Sequence, residues 1–338
     1  MTQFNKFVGV DIASASFTAC VGVSPWKLAV KPETFDNDEN GYSVFLSWMK
    51  RHDCSLIDTV VCMEATGVYG EGLAYFLCAS GFTVAVEPPL NIQRKFPINK
   101  SKNDLLDSTY IAEYACRYVD KLAIWKPRDD VLEQVKVLLA SREQFVGQST
   151  AQKNALHAIN RKKVSCDVAK DVHKEIIKQI EKHIATIDAE IRRLINSDPT
   201  YKRTFLLLLS LPGVGAMLAA HLLIITQYTQ DPRVLATFIG ISPIEHESGS
   251  SIKKTPTSRH YGPPAIRKLL FLAACSVRQH RKQFQLYFAR KTAEGKAKKL
   301  IINNIQNKLL KIACAVLREQ KPYIANYVSV NPLVLKNA

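Results

Sequence analysis

Acidic side chains nearly vanish from one end of this chain. The last 138 of its 338 residues hold five of them (Asp231, Glu245, Glu247, Glu294, Glu319) against 21 lysines and arginines. Residues 1–200 balance at 25 of each sign, so the net charge of +16 arises in the C-terminal part. A surface so short of acids suits a polyanion, and nucleic acid is the partner it predicts. Paired cysteines are missing as well. Eight cysteines occur without one Cys-x-x-Cys, and several stand in apolar runs such as Val60-Val61-Cys62-Met63. They read as reduced core thiols, which excludes a disulfide framework or a zinc site. No Gly-x-x-x-x-Gly-Lys-Ser/Thr loop occurs, so a P-loop enzyme is excluded. The polar opening residues lead into a strand, which predicts no signal peptide. One apolar stretch, 205–225, has the length of a membrane span, but Pro212, Gly213, Gly215 and His221 interrupt it, and no membrane partner is expected.

Proline is absent from residues 128–198 and glycine occurs there once, at Gly147. What remains is charged and helix-like. Val131, Val135, Leu138 and Leu139, then Ile176, Ile180, Ile184, Ile187, Ile191 and Leu194, recur at three- and four-residue intervals. That spacing predicts two antiparallel helices bent near residues 161–167. The pair reads equally as an arm for self-association or as a packed helical hairpin.

Upstream, strand-like and helix-like segments alternate. Residues 7–11 and 16–23 predict a β-hairpin, 40–51 a helix, 59–63 a buried strand, 68–79 a helix, 82–87 a strand and 104–117 a helix. This alternation predicts an α/β domain. Trp125-Lys126-Pro127 marks its end. The expected organisation is a catalytic domain over 1–126, a helical coiled-coil arm over 127–200 and a basic domain over 201–338. The last is expected to be mainly helical, with one polar loop from Pro243 to Pro264.

Three places in the first domain carry chemistry. Asp11 ends the first strand and Glu64 ends a later, buried one. Asp104 and Asp107 stand three apart at a helix start, on one face of its first turn. Strand ends and helix N-termini of open α/β sheets gather at one rim, so the four carboxylates are expected to converge there. Four such charges need compensation, and two Mg²⁺ (or Mn²⁺) ions supply it while clamping the attacking and leaving oxygens of phosphoryl transfer.

Those residues carry a resemblance. Val-Gly-Val-Asp-Ile-Ala (8–13), Met-Glu-Ala-Thr-Gly-Val-Tyr (63–69) and Lys-Asn-Asp-Leu-Leu-Asp (102–107) resemble the DEDD transposases of insertion sequences. That family includes the Piv-type DNA invertases and the bridge-RNA-guided recombinases. The resemblance implies a ribonuclease H-like (RuvC-like) catalytic domain with metal at Asp11, Glu64, Asp104 and Asp107. It further implies cleavage and rejoining of DNA at element ends and target, an element-encoded guide RNA, a homo-oligomer (dimer or tetramer) and a cytoplasmic, nucleoid-associated protein.

In the C-terminal part, Ser-Leu-Pro-Gly-Val-Gly (210–215) between apolar segments resembles a helix-hairpin-helix. Gly213 and Gly215 are expected to let backbone N–H groups approach a DNA phosphate. The family's Ser-Gly signature matches Ser248-Gly249, and the resemblance implies that Ser248 is the nucleophile. Lys253, Lys254, Arg259 and Arg267 are the expected cationic contacts to nucleic acid. Ser108 and Pro263-Pro264 depart from the family's pattern, as does Lys253-Lys254 where a glycine often follows the serine motif. A junction-resolving nuclease using metal-activated water is the rival reading, and an inactive nucleic-acid-binding relative is the other.

Overall fold

Short, continuous apolar runs build the central strands of the first sheet. The computed structural model describes residues 4–65, 67–93, 104–127, 129–248, 252–258 and 262–325; the side chains of 104, 105, 244–248 and 252–258 lie outside that description, as does Arg259. Two compact units divide the chain, residues 1–128 and residues 129–338.

The first unit is a five-stranded mixed sheet of β1 (Lys6–Ile12), β2 (Ser16–Val23), β3 (Lys27–Asp36), β4 (Thr59–Glu64) and β5 (Thr83–Glu87). Their order is β3-β2-β1-β4-β5. The β1–β2 and β2–β3 pairs are antiparallel, and the β1–β4 and β4–β5 pairs are parallel. Side-chain alternation sends Val8, Val10, Val61, Met63 and Val84 to one face, against Phe45, Trp48 and Met49 of α1 (Glu39–Arg51) and Leu73 and Leu77 of α2 (Glu71–Ala79). A 3-10 turn over Gly67–Gly70 precedes α2, so the helix expected from residue 68 starts three residues later. The other face sends Phe7, Val60, Cys62 and Ala85 against Ile92 of the short α3 (Pro89–Gln93) and Ile111, Tyr114 and Ala115 of α4 (Asp104–Arg117).

The second unit begins with two 31-residue helices, α5 (Asp130–Asn160) and α6 (Asp167–Ser197). Ion pairs Arg142–Asp188 and Lys153–Glu181 fix them antiparallel. Their base is core: Leu132, Val135, Leu139, Ile191, Leu194 and Ile195 pack in one cluster with the helices that follow. Near the turn between them Val164, Val168 and Val172 are exposed. Next come α7 (Pro199–Leu209), α8 (Ala216–Thr226), α9 (Pro232–Ile239), α10 (Pro264–His280), α11 (Lys282–Ala293) and α12 (Lys298–Glu319). The apolar stretch at 205–225 is thus the end of α7, a turn and α8. Among the described residues α12 alone is long and apolar enough to cross a membrane, and it is instead a largely buried helix of this core.

One expectation needs correction. The region from Pro243 carries an antiparallel two-stranded ribbon, β6 (Pro243–Ser248) and β7 (Ile252–Ser258), where the sequence reads as a loop. Ile244, Ile252, Thr255 and Thr257 supply β-branched residues, and Glu247 stands opposite Lys253 in the register.

Candidate active site

Register and alternation bring Asp11 and Glu64 together. Val10 pairs with Met63 across parallel β1 and β4, so Asp11 and Glu64 are the next residues on adjacent strands, roughly 4.8 Å apart in backbone spacing. Phe7 and Gly9 face α4, and so do Val60 and Cys62. Two-residue alternation therefore puts Asp11 and Glu64 on that same face. The half-buried Glu64 carboxyl is pushed above its ordinary range, first by burial and then by the negative charge of Asp107. Asp107 is thus within electrostatic reach of Glu64. Asp104 is the first residue of α4, and its side chain lies outside the described atoms. Among the described residues, no three of His, Cys, Asp and Glu stand close enough to hold a metal ion. A gathered rim is what the backbone provides.

Two further residues fix that rim, and sequence spacing does not announce either. Gly9 is where α4 crosses β1: a Cβ there would sit 2.1 Å from the Ser108 carbonyl oxygen and 2.3 Å from the Ala112 nitrogen. Only glycine permits so close an approach of helix and strand backbones. Ser108, one of the departures from the family's pattern, is fully buried, and its hydroxyl and that of Thr109 hydrogen-bond the Cys20 thiol on β2.

The other residue is Glu87, paired with Glu64 across β4 and β5 and only 1% exposed. Its carboxylate accepts from the Ala123 N–H at 2.7 Å, Asn91 Nδ2 at 3.2 Å and the Tyr114 hydroxyl of α4 at 3.3 Å. Its carbonyl accepts from the N–H of Ala65, next to Glu64, at 2.9 Å. Burial first, and then the Glu87 charge, push the Tyr114 hydroxyl up to about 12. Glu87 therefore ties α4 to the strand ends beneath the carboxylates.

In the second unit Ser248 is the last residue of β6, paired with Ile252, and Lys253 and Lys254 follow on β7 opposite Glu247 and His246. Gly249, Ser250, Ser251 and Arg259 lie outside the described residues. Gly213 has φ +77, and a Cβ would meet Val277 Cγ1 at 2.8 Å and the Ala273 carbonyl oxygen at 2.9 Å, so it is a packing glycine against α10. Gly215 faces open space at the start of α8, whose first turn lacks a side-chain cap. A cavity of about 390 Å³ opens there, lined in part by Gly213, Gly215, Arg192 and Ser276. The half-buried Arg267 donates Nη1 to the Ile239 carbonyl at 3.0 Å, which ties its guanidinium to the fold. Lys291 of α11 pairs with Glu294 at 2.7 Å.

Two transposase family models match the chain. The DEDD transposase model of IS110 type covers residues 8–161, and the model of the IS116/IS110/IS902 transposase family covers residues 206–289. Relatives extend over nearly the whole length: pilin gene-inverting proteins of Moraxella bovis and Moraxella lacunata are each 29% identical over 324 residues, 94% of this chain and 97% of theirs. These matches define a DNA recombinase. The chain belongs to the IS110-type family of DEDD transposases. Structures of Thermus thermophilus RuvC, one in complex with a Holliday junction substrate, align with 36% of this chain and 99% of theirs, at 12% identity and a TM-score of 0.27.

Proposed function

We propose that this transposase cuts and rejoins DNA strands by transesterification, with Ser248 as nucleophile and Asp11, Glu64, Asp104 and Asp107 as holders of Mg²⁺ or Mn²⁺. The observation that carries the reading is the β1–β4 register, which sets Asp11 and Glu64 side by side on adjacent strands with Asp107 in electrostatic reach. The sheet order β3-β2-β1-β4-β5, antiparallel then parallel, supports a ribonuclease H-like assignment of the first unit. The donor chemistry fits a hard divalent cation, because all four groups are carboxylates and the raised Glu64 carboxyl is a charge that a cation would relieve. When bound, such an ion supplies charge neutralisation and orientation at the scissile phosphate.

The chain's own part is the exchange. As the Ser248 Oγ–P bond forms, one P–O bond to deoxyribose breaks; the serine gives up its proton and the departing sugar oxygen takes one. One phosphodiester replaces another, and the phosphoserine link retains the bond for rejoining. Lys253, Lys254 and Arg259 are the cations assigned to balance phosphate charge, and Gly215 offers uncapped N–H groups to a phosphate. Inversion of a DNA segment, as the relatives' names describe, and transposition are two outcomes of this chemistry. An element-encoded RNA selects the sites. Copies of the chain assemble through the α5–α6 arm, a reading supported by exposed Val164, Val168 and Val172. The place of action is the cytoplasm, at the nucleoid.

A nicked suicide duplex, offered with RNA transcribed from the flanks of the reading frame, tests the nucleophile. Wild type is expected to form a denaturant-resistant protein–DNA adduct. Ser248→Ala forms none while still binding DNA, and Ser250→Ala and Ser251→Ala retain most of it. Efficient cutting by wild type without an adduct would replace this reading with the metal-water nuclease.

A further inference from the structure

The ribbon that bears Ser248 is rooted with more hydrogen bonds than chain continuity needs. At its entry, α9 ends at Ile239, Gly240 turns left-handed at φ 79, and Ile241 leads to Pro243 of β6. Ile241 is buried, and its carbonyl receives two amides from α12: Asn303 Nδ2 at 3.0 Å and Asn307 Nδ2 at 3.2 Å. Two donors fill both lone pairs of one carbonyl. The Asn307 amide also donates to the Asn303 carbonyl at 3.0 Å, so it has no freedom to swing away. Two residues earlier, the Ile239 carbonyl receives Arg267 Nη1, and buried Gln306 of α12 donates to the Arg267 carbonyl at 3.3 Å. At the ribbon's exit a Cβ on Gly262 would lie 1.9 Å from the Phe238 carbonyl oxygen. Entry and exit are thus held against the same end of α9.

A two-stranded ribbon is marginal in water by itself, so its direction is set by its root. A burial requirement would be met by one donor per carbonyl. Here a pair of asparagines one helical turn apart, neither a charge nor a core side chain, converges on one oxygen. We propose that Asn303 and Asn307 are positioning residues that aim the β6–β7 ribbon for strand cleavage. The proposal rests on the reading that this ribbon delivers the nucleophile. Neutral amides suit the task, because an aspartate at either position would present oxygen to oxygen and push the ribbon away.

Single-turnover cleavage at saturating DNA separates aim from stability. The full chain is compared with Asn303→Asp, Asn307→Asp and the double Asn303→Ala/Asn307→Ala, recording rate constant, amplitude, DNA affinity and melting temperature. Positioning predicts a rate constant lowered about tenfold in each single variant and about 100-fold in the double, with amplitude retained and affinity within about twofold. A merely structural role lowers amplitude and melting temperature and leaves the rate constant of the folded fraction alone. If the double variant does not fold, the isosteric single variants decide. Rate constants within about twofold of wild type would overturn the proposal. Ser248→Ala, run alongside, distinguishes the two readings: an adduct that survives it dismisses Ser248, while slowed asparagine variants still establish the anchor.

Discussion

The two units hold their candidate groups in opposite ways. In the first, Asp11 and Glu64 stand at the ends of central strands, with helices packed on both faces of the sheet. In the second, Ser248 ends one strand of a two-stranded ribbon, and the hydrogen bonds that fix it lie at the root. The first arrangement is preorganised by the core itself and stores repulsion, recorded in the raised Glu64 carboxyl. The second takes its precision from a few amide contacts. Losses in the acidic rim should therefore separate chemistry from stability, while losses beneath it should couple them.

The largest expected effect is on chemistry. Glu64→Gln should lower strand cleavage by about a thousandfold or more, through loss of one carboxylate from a set that acts as a unit. Stability should move the other way. A carboxyl whose folded value is raised loses stability as pH rises through that range, so at neutral pH the charged form is a net penalty. Removing it should leave the metal-free stability unchanged or slightly higher, by less than about 1 kcal/mol given its partial exposure, as a melting curve would show. Normal cleavage by this variant, or full activity in EDTA, would sink the carboxylate site.

Beneath the rim the same comparison predicts coupling. Gly9→Ala drives a methyl group into the backbone of α4 and should destabilise the protein by about 3 kcal/mol. Cleavage should fall with it, because α4 carries Asp107. Calorimetry that finds this variant as stable as wild type would mean that α4 does not cross β1 so closely.

A third effect belongs to the second unit. His221 on α8 is largely buried, and its imidazole is pushed down to about 4, chiefly by desolvation; Glu143 opposes the shift and Arg142 adds to it. A base with a depressed folded value remains neutral while the unfolded chain takes up a proton. Stability is therefore lost as pH falls from above 6.5 towards 4, by at most about 3.5 kcal/mol at 1.36 kcal/mol per unit. His221→Gln should flatten the melting-temperature profile across that window. A profile as steep as that of wild type would assign the loss to other groups.

Much of the first unit was legible because its signals are local. Short apolar runs in residues 7–11 and 59–63 mark buried strands, and the Asp104–Arg117 helix begins where its acids and apolar spacing begin. Strand β3 was not legible: it lies at the sheet edge, mostly exposed, with charged residues and Pro32 in place of an apolar rhythm. The serine ribbon was hidden for the same reason, since its turn is small and polar and its strands are charged. That Asp11 and Glu64 are neighbours, with Asp107 in electrostatic reach, could be read from strand ends and a helix start. Gly9 and Glu87 could not, because their meaning depends on a helix that arrives about a hundred and about twenty residues later, respectively. Asn303 and Asn307 answer to a carbonyl about sixty residues upstream, which no spacing rule anticipates.

The smallest expected effect probes how charge is used beneath the rim. Glu87→Gln keeps shape and one acceptor oxygen, which the Ala123 N–H would retain. The amide that replaces the other oxygen can donate to the Tyr114 hydroxyl, but Asn91 Nδ2 then faces a donor. One donor left unmatched costs about 1–3 kcal/mol when buried. Tyr114 offers a sharper reading than stability does. Burial is the first cause of its elevation to about 12, and the neighbouring carboxylate adds to it through charge and hydrogen bond. With Gln at 87 the burial remains and the charge is gone, so the Tyr114 hydroxyl should titrate lower than in wild type yet still above an ordinary tyrosine. Site-specific ¹³C-tyrosine NMR across the alkaline range would follow it, with Tyr114→Phe assigning the resonance. The Glu64 elevation should persist, since its causes are burial and Asp107. An unmoved Tyr114 titration would mean that Glu87 adds nothing to the elevation and that burial alone accounts for it.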